Sequence, residues 1–94
     1  MDKKLNKYQL ENQYPSGKEH LATYDLGLSA ALVSLDFELL SLNKENPRKV
    51  QFIFLRKSGI DKAVNAYFSG KLEVSARALF DNTKMLKNRI YSNL

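Results

Sequence analysis

Residues 46–57, NPRKVQFIFLRK, contain the clearest strand signal of the sequence and decide the fold class. Side chains alternate between the two faces of a strand, which places Phe52 and Phe54 on one face and Ile53 and Leu55 on the other. Burying two phenylalanine rings contributes roughly 3–6 kcal/mol, a large part of a small domain's stability. We therefore expect the phenylalanine face to lie against a core.

A partner strand precedes this one. Residues 37–42, FELLSL, have strand character, and the turn-forming residues 43–47 connect them to a second strand over 48–56. Two such runs separated by a short loop favour an antiparallel hairpin. With Phe37 and Leu39 inward, the outer face would carry the aliphatic side chains of Leu40, Leu42, Ile53 and Leu55. Such a face needs a cover, either from the third helix or from another chain, and it suits a protein partner or a second copy of the chain.

Helices are predicted before and after the hairpin in the sequence. After a short extended segment at 20–24, Asp25 is a candidate N-cap for a helix ending near Asp36. Ser58 and Ser75 are candidate N-caps of two further helices. The inward sector of the last helix would contain Ala76, Leu79, Phe80, Thr83, Leu86 and Ile90. The predicted fold is α+β: short strand, helix, antiparallel β-hairpin, helix, and a long amphipathic C-terminal helix packed on a small sheet.

The length of 94 residues suits one ordinary small domain. Pro15-Ser16-Gly17 is a strong break in the pattern. We expect residues 1–18 to form a mobile or loosely docked N-terminal arm and residues 19–94 to form a single α+β domain. The N-terminus lacks the apolar segment of a secretory signal, and no run is long enough for a membrane span. Because cysteine is absent, disulfides and thiolate metal sites are excluded, and a cytoplasmic setting is expected.

The formal net charge of +5 is concentrated in two segments, 43–57 and 77–89. Clustered cations are typical of a surface that contacts phosphates, although solvated charge is the alternative explanation. The candidate nucleic-acid-binding residues are Lys44, Arg48, Lys49, Arg56, Lys57, Arg77, Lys84 and Lys87.

The residues that could support catalysis are few and scattered. His20 is the single histidine, and the four glycines are too far apart to form a phosphate loop. Asp25 and Asp36 would sit at opposite ends of one helix, about 16 Å apart, so they cannot share a metal ion or a proton. We expect no catalytic site, no metal and no cofactor.

The chain also resembles a family of small uncharacterised prokaryotic and phage-associated domains. The resemblance covers about residues 23–92. It is carried by these positions: Thr23, Asp25, Leu26, Tyr67, Gly70, Leu72, Val74, Leu86, Lys87, Ile90 and Tyr91. It implies a fold with an Ala-rich helix, an aromatic hairpin and a long last helix, and it implies no activity.

Two functions follow from these patterns. The first is a non-enzymatic binding module, an accessory or regulatory factor that contacts nucleic acid through its basic hairpin loop and C-terminal helix. The alternative is a protein–protein interaction domain, which includes a homodimer formed through the outer sheet face.

Overall fold

The computed structural model describes residues 17–92. The elements are β1 (His20–Thr23), α1 (Leu26–Ser34), β2 (Leu39–Asn43), β3 (Gln51–Leu55), α2 (Ile60–Phe68) and α3 (Ala76–Ile90). The predicted α+β class is confirmed, with a C-terminal helix packed over a small sheet. Apart from Gly17 and Lys18, the predicted N-terminal arm lies outside the described residues.

The three strands form an antiparallel sheet in the order β1-β3-β2, so β3 is central. Phe52 lies between Thr23 and Leu42, and Phe54 lies between Leu21 and Leu39. Both rings are fully buried and belong to one core cluster. The predicted hairpin and the inward orientation of both phenylalanines are confirmed.

A β-bulge in β2 changes the outer face of the sheet. The pairing shifts between Leu39 and Ser41, so that Leu40 is an extra residue on the bulged strand. After the shift Leu42 lies opposite Phe52 and packs against the core. The prediction that Leu42 points to the outer face is therefore wrong, because the inserted residue reverses the alternation that the prediction assumed.

Helix α1 is the central helical element. It begins at the predicted cap, where the Asp25 carboxylate accepts a hydrogen bond from the Leu28 backbone N–H at 2.8 Å. Its residues 28–32 are all buried, because the core surrounds the helix on most sides. The small side chains of Ser29, Ala30 and Ala31 allow this close packing.

Helix α1 ends at a left-handed residue, Asp36, with φ 69°. The Asp36 N–H donates to the Val33 carbonyl at 2.9 Å, and the Phe37 N–H donates to the Leu32 carbonyl at 3.0 Å. These two bonds form a Schellman motif, in which glycine is the preferred left-handed residue. The motif turns the chain sharply into β2.

We expect Asp36→Gly to raise the free energy of unfolding by about 0.5–1 kcal/mol, because glycine adopts positive φ without steric cost. Chemical denaturation monitored by circular dichroism measures the change. Asn65→Gly, an exposed substitution inside α2, is the matched control and should lower the same quantity by about 0.3–0.5 kcal/mol. A loss of stability in Asp36→Gly would show that the aspartate side chain contributes more than the strain it imposes.

The other two helices differ in how well their starts were predicted. Helix α2 has Gly59 at its N-cap, with φ 93° and no side-chain cap, so the prediction of Ser58 is wrong. Helix α3 begins at the predicted cap, where the Ser75 hydroxyl accepts from the Ala78 N–H at 3.1 Å.

Helix α3 packs along α1 through Leu86 and a polar bridge. Leu86 is fully buried in the core cluster. The Asn82 side-chain amide donates to the Ser34 hydroxyl at 2.9 Å, and that hydroxyl donates to the Ala30 carbonyl. Phe80, however, is 62% exposed. Its predicted inward orientation is wrong: the ring lies at the edge of the apolar sector, where the Lys84 ammonium rather than core side chains lies over it.

Candidate nucleic-acid interface

The hairpin loop and the C-terminal end of α3 meet in space. The Lys44 ammonium donates to the backbone carbonyl of Arg89 and, at 3.1 Å, to that of Ser92. A lysine on the last carbonyls of a helix satisfies unpaired acceptors and complements the negative end of the helix dipole. Lys44, which the sequence indicated as a phosphate contact, thus joins the loop to the helix end.

Two asparagines order the loop itself. The Asn43 side-chain oxygen accepts from the Glu45 N–H at 3.0 Å, and the Asn46 side-chain oxygen accepts from the Arg48 N–H at 3.0 Å. Such Asx bonds fix the backbone of short loops. As a result the exposed side chains of Arg48 and Lys49 project from a loop with a defined conformation.

A cleft of about 270 Å³ lies between this loop and the end of α3. We call it the loop–helix cleft; its lining includes Tyr24, Arg48, Lys49 and Tyr91. The Lys49 ammonium lies 4.7 Å from the centroid of the Tyr24 ring, a cation–π contact. Tyr91 is 80% exposed. The cleft therefore combines two cations with an accessible aromatic ring.

A second, more open depression of about 550 Å³ lies beside the β2 strand. We call it the edge groove, and it is lined by Leu40, Ser41, Leu42, Lys44, Arg89 and Ser92. No acidic residue lines either the edge groove or the loop–helix cleft within the described chain. The described lining of each surface thus contains two cations, Lys44 and Arg89 in the edge groove and Arg48 and Lys49 in the loop–helix cleft.

The family of the chain is shown by its sequence match. Residues 18–92 match the model of a domain of unknown function, DUF5659. The chain belongs to the DUF5659 family. This membership confirms the predicted relation to a family of small uncharacterised domains. No curated protein and no solved structure matches the chain.

In this DUF5659 domain, several predicted cations are engaged elsewhere. The Arg56 guanidinium pairs with the Asp61 carboxylate at 2.6 Å and also donates to the Gly17 carbonyl. It therefore ties the start of the described chain to α2. Lys57 is exposed in the same region and does not line either concave surface.

The cations on α3 form a separate stripe. Arg77 lies 3.4 Å from the Asp81 carboxylate, and the Lys84 ammonium lies 5.2 Å from the centroid of the Phe80 ring. Lys87 is exposed one turn before the helix end. Of the predicted α3 cations, Lys87 is the closest in sequence to the helix end that contacts the loop through Lys44.

Neither Tyr24 nor Arg89 is among the site residues predicted from the sequence, although both line the clefts of this DUF5659 domain. The sequence places Tyr24 in a short extended segment, and it places Tyr91 beside Arg77, Lys84 and Lys87 as a candidate contact of the last helix with a phosphate backbone. Arg89 was counted in the basic segment but not assigned to the site. The position of Arg89 and Tyr91 at the end of the last helix follows from the sequence, but the approach of that helix end to the hairpin loop depends on tertiary packing.

The outer face of the sheet exposes less apolar surface than predicted. Ala22 and Gln51, which alternation places on this face, are buried, and Ile53 is half-buried. Leu40 and Leu55 are exposed, at 41% and 38%. Of the four aliphatic residues proposed for an interface, these two are the accessible ones.

Two positions of the family resemblance, Asp25 and Tyr67, have a packing role in the DUF5659 fold. The Tyr67 hydroxyl lies so close to Gly27 that any Cβ at this position would overlap it. Burial and, to a smaller extent, the charge of Asp25 raise the pKa of the Tyr67 hydroxyl above its ordinary value of 10.0. Glycine at 27 thus allows α2 to approach the first turn of α1.

The described residues 17–92 contain no group of three or more potential metal-ligating side chains. Within the same range, no helix has both the length and the apolar character needed to cross a bilayer.

Proposed function

We propose that this domain is a non-enzymatic nucleic-acid-binding module, an accessory or regulatory factor of the cytoplasm. The observation that carries the proposal is the loop–helix cleft, in which Arg48 and Lys49 surround a space beside the exposed Tyr91. Cations supply affinity for phosphates, and an accessible aromatic ring supplies a stacking surface for a base.

The arrangement of charge supports this function over a general excess of solvated lysines. Arg48 and Lys49 come from the loop, whereas Arg89 comes from α3, and the contact through Lys44 holds the two elements together. Arginine also forms planar, two-pronged contacts with phosphate. The hairpin loop and the end of α3, which meet through Lys44, thus carry cations from two parts of the chain.

The alternative of a protein–protein interaction domain has narrower support. Leu40 and Leu55 are exposed on the outer face, but Leu42 packs against the core and Ile53 is half-buried. Two scattered leucines are common on monomeric proteins and form no extended apolar patch. The cytoplasmic setting is supported by the lack of cysteine.

A salt titration tests the proposed function. We expect the logarithm of the affinity for a labelled oligonucleotide to fall linearly with the logarithm of salt concentration. For three or four phosphate contacts the slope should be about −2 to −4. Fluorescence anisotropy at several salt concentrations measures it. Undetectable binding to single-stranded and duplex DNA and RNA at about 50 mM salt would overturn the proposal.

A further inference from the structure

We infer that the loop–helix cleft binds an unpaired base, so that the ligand of this domain is single-stranded nucleic acid rather than a duplex. This inference rests on the proposed function and names its substrate class.

The shape of the cleft favours a single flat group. It encloses about 270 Å³ between Pro47 in the hairpin loop and Ile90 at the end of α3. A concave space of this size accepts one base, but it excludes the edge of a stacked and paired helix. Duplex recognition usually requires the reverse geometry, a protruding helix or ribbon that enters a groove.

The two tyrosines have different surroundings, which divides their roles. Tyr24 is half-buried and its ring is paired with the Lys49 ammonium, so it positions that cation at the border of the cleft. Tyr91 follows the last residue of α3 and is largely exposed. The Tyr91 ring is therefore the surface on which a base stacks, while Arg48 and Lys49 contact the flanking phosphates.

The remaining cations of α3 are poorly arranged for a duplex. Arg77 is paired with Asp81, and Lys84 lies over the exposed ring of Phe80. A helix that reads a major groove presents polar and basic side chains to base edges and phosphates. On α3 the acidic Asp81 and the apolar Phe80 interrupt such a surface. In the loop–helix cleft, no acidic residue of the described chain lies among the lining residues beside Arg48 and Lys49.

The test compares four labelled ligands of about ten nucleotides or base pairs, a length that spans typical single-strand sites. They are single-stranded DNA, single-stranded RNA and the two matching duplexes, all measured by fluorescence anisotropy in the same buffer. We expect at least one single strand to bind about tenfold or more tightly than its duplex. The comparison of single-stranded DNA with single-stranded RNA then shows whether the domain prefers deoxyribose or ribose.

Substitutions at Tyr91 test the stacking role. Tyr91→Ala should weaken single-strand binding about 5- to 100-fold, the effect of removing one stacked base, whereas Tyr91→Phe should keep wild-type affinity because the ring remains. Phe80→Ala is the matched control, because it removes an exposed ring from the same helix outside the cleft. Circular dichroism verifies that each variant is folded.

The outcomes separate the two claims. Equal or tighter binding to duplexes would overturn the single-strand inference and leave the proposed function standing. Wild-type affinity in Tyr91→Ala, or equal losses in Tyr91→Ala and Phe80→Ala, would also overturn it. A lack of binding to all four ligands would instead overturn the proposed function, and the inference with it.

Discussion

Replacing Phe54 with alanine is expected to lower the free energy of unfolding by about 3–5 kcal/mol. Phe54 lies on the central strand between Leu21 and Leu39, and its ring is fully buried. Removing the ring leaves a cavity bordered by both edge strands and by the helices above. The loss of apolar burial and the cost of the cavity both lower the free energy of unfolding. A loss of this size approaches the whole stability of many small domains.

Urea denaturation followed by circular dichroism measures this effect at the transition midpoint. Phe80→Ala, which removes the same atoms from a ring that is 62% exposed, is the control and should change stability by less than about 0.5 kcal/mol. Equal losses of stability in Phe54→Ala and Phe80→Ala would contradict the placement of Phe54 in the core.

The second large effect is expected for the double substitution Arg48→Glu and Lys49→Glu. Each side chain is proposed to form a charge-assisted contact with a phosphate, and such contacts contribute about 1.5–3 kcal/mol each. Losing both, and adding two negative charges at the same cleft, should weaken binding by at least about a hundredfold at low salt. Both side chains are exposed, so the fold should be retained.

The matched control changes the same amount of charge elsewhere. Lys62 and Lys71 are exposed and line neither the loop–helix cleft nor the edge groove. The double substitution of these lysines by glutamate should reduce affinity only slightly, through the lower net charge. If both double variants lose affinity equally, binding depends on overall charge and the cleft has no special role. Lys44 is left intact in both variants because its ammonium joins the loop to α3.

The parts of the fold that depend on local sequence were predictable. Asp25 and Ser75 cap their helices as expected, because a cap needs only a suitable oxygen and the next three residues. Phe52 and Phe54 could be placed by simple alternation along one strand. These features are determined within a few residues of chain.

Apart from the cap predicted at Ser58, which lies one residue later at Gly59, the errors arose where distant parts of the chain decide the outcome. The bulge at Leu40 depends on how β2 pairs with β3, and no glycine or other turn-forming residue at this position indicates it in the sequence. The exposure of Phe80 depends on where α3 rests on α1. The candidate site shows the same division: Arg48 and Lys49 could be identified from the basic hairpin, whereas the approach of Tyr91 to them required the tertiary structure.

The bulge in β2 has a further consequence for the behaviour of the protein at high concentration. Among the described strands β2 lies at an edge of the sheet, where free backbone groups invite pairing with another molecule. An extra residue at Leu40 interrupts the regular spacing of those groups and increases the local twist. The same irregularity that turns Leu42 toward the core thus protects this edge from β-strand aggregation.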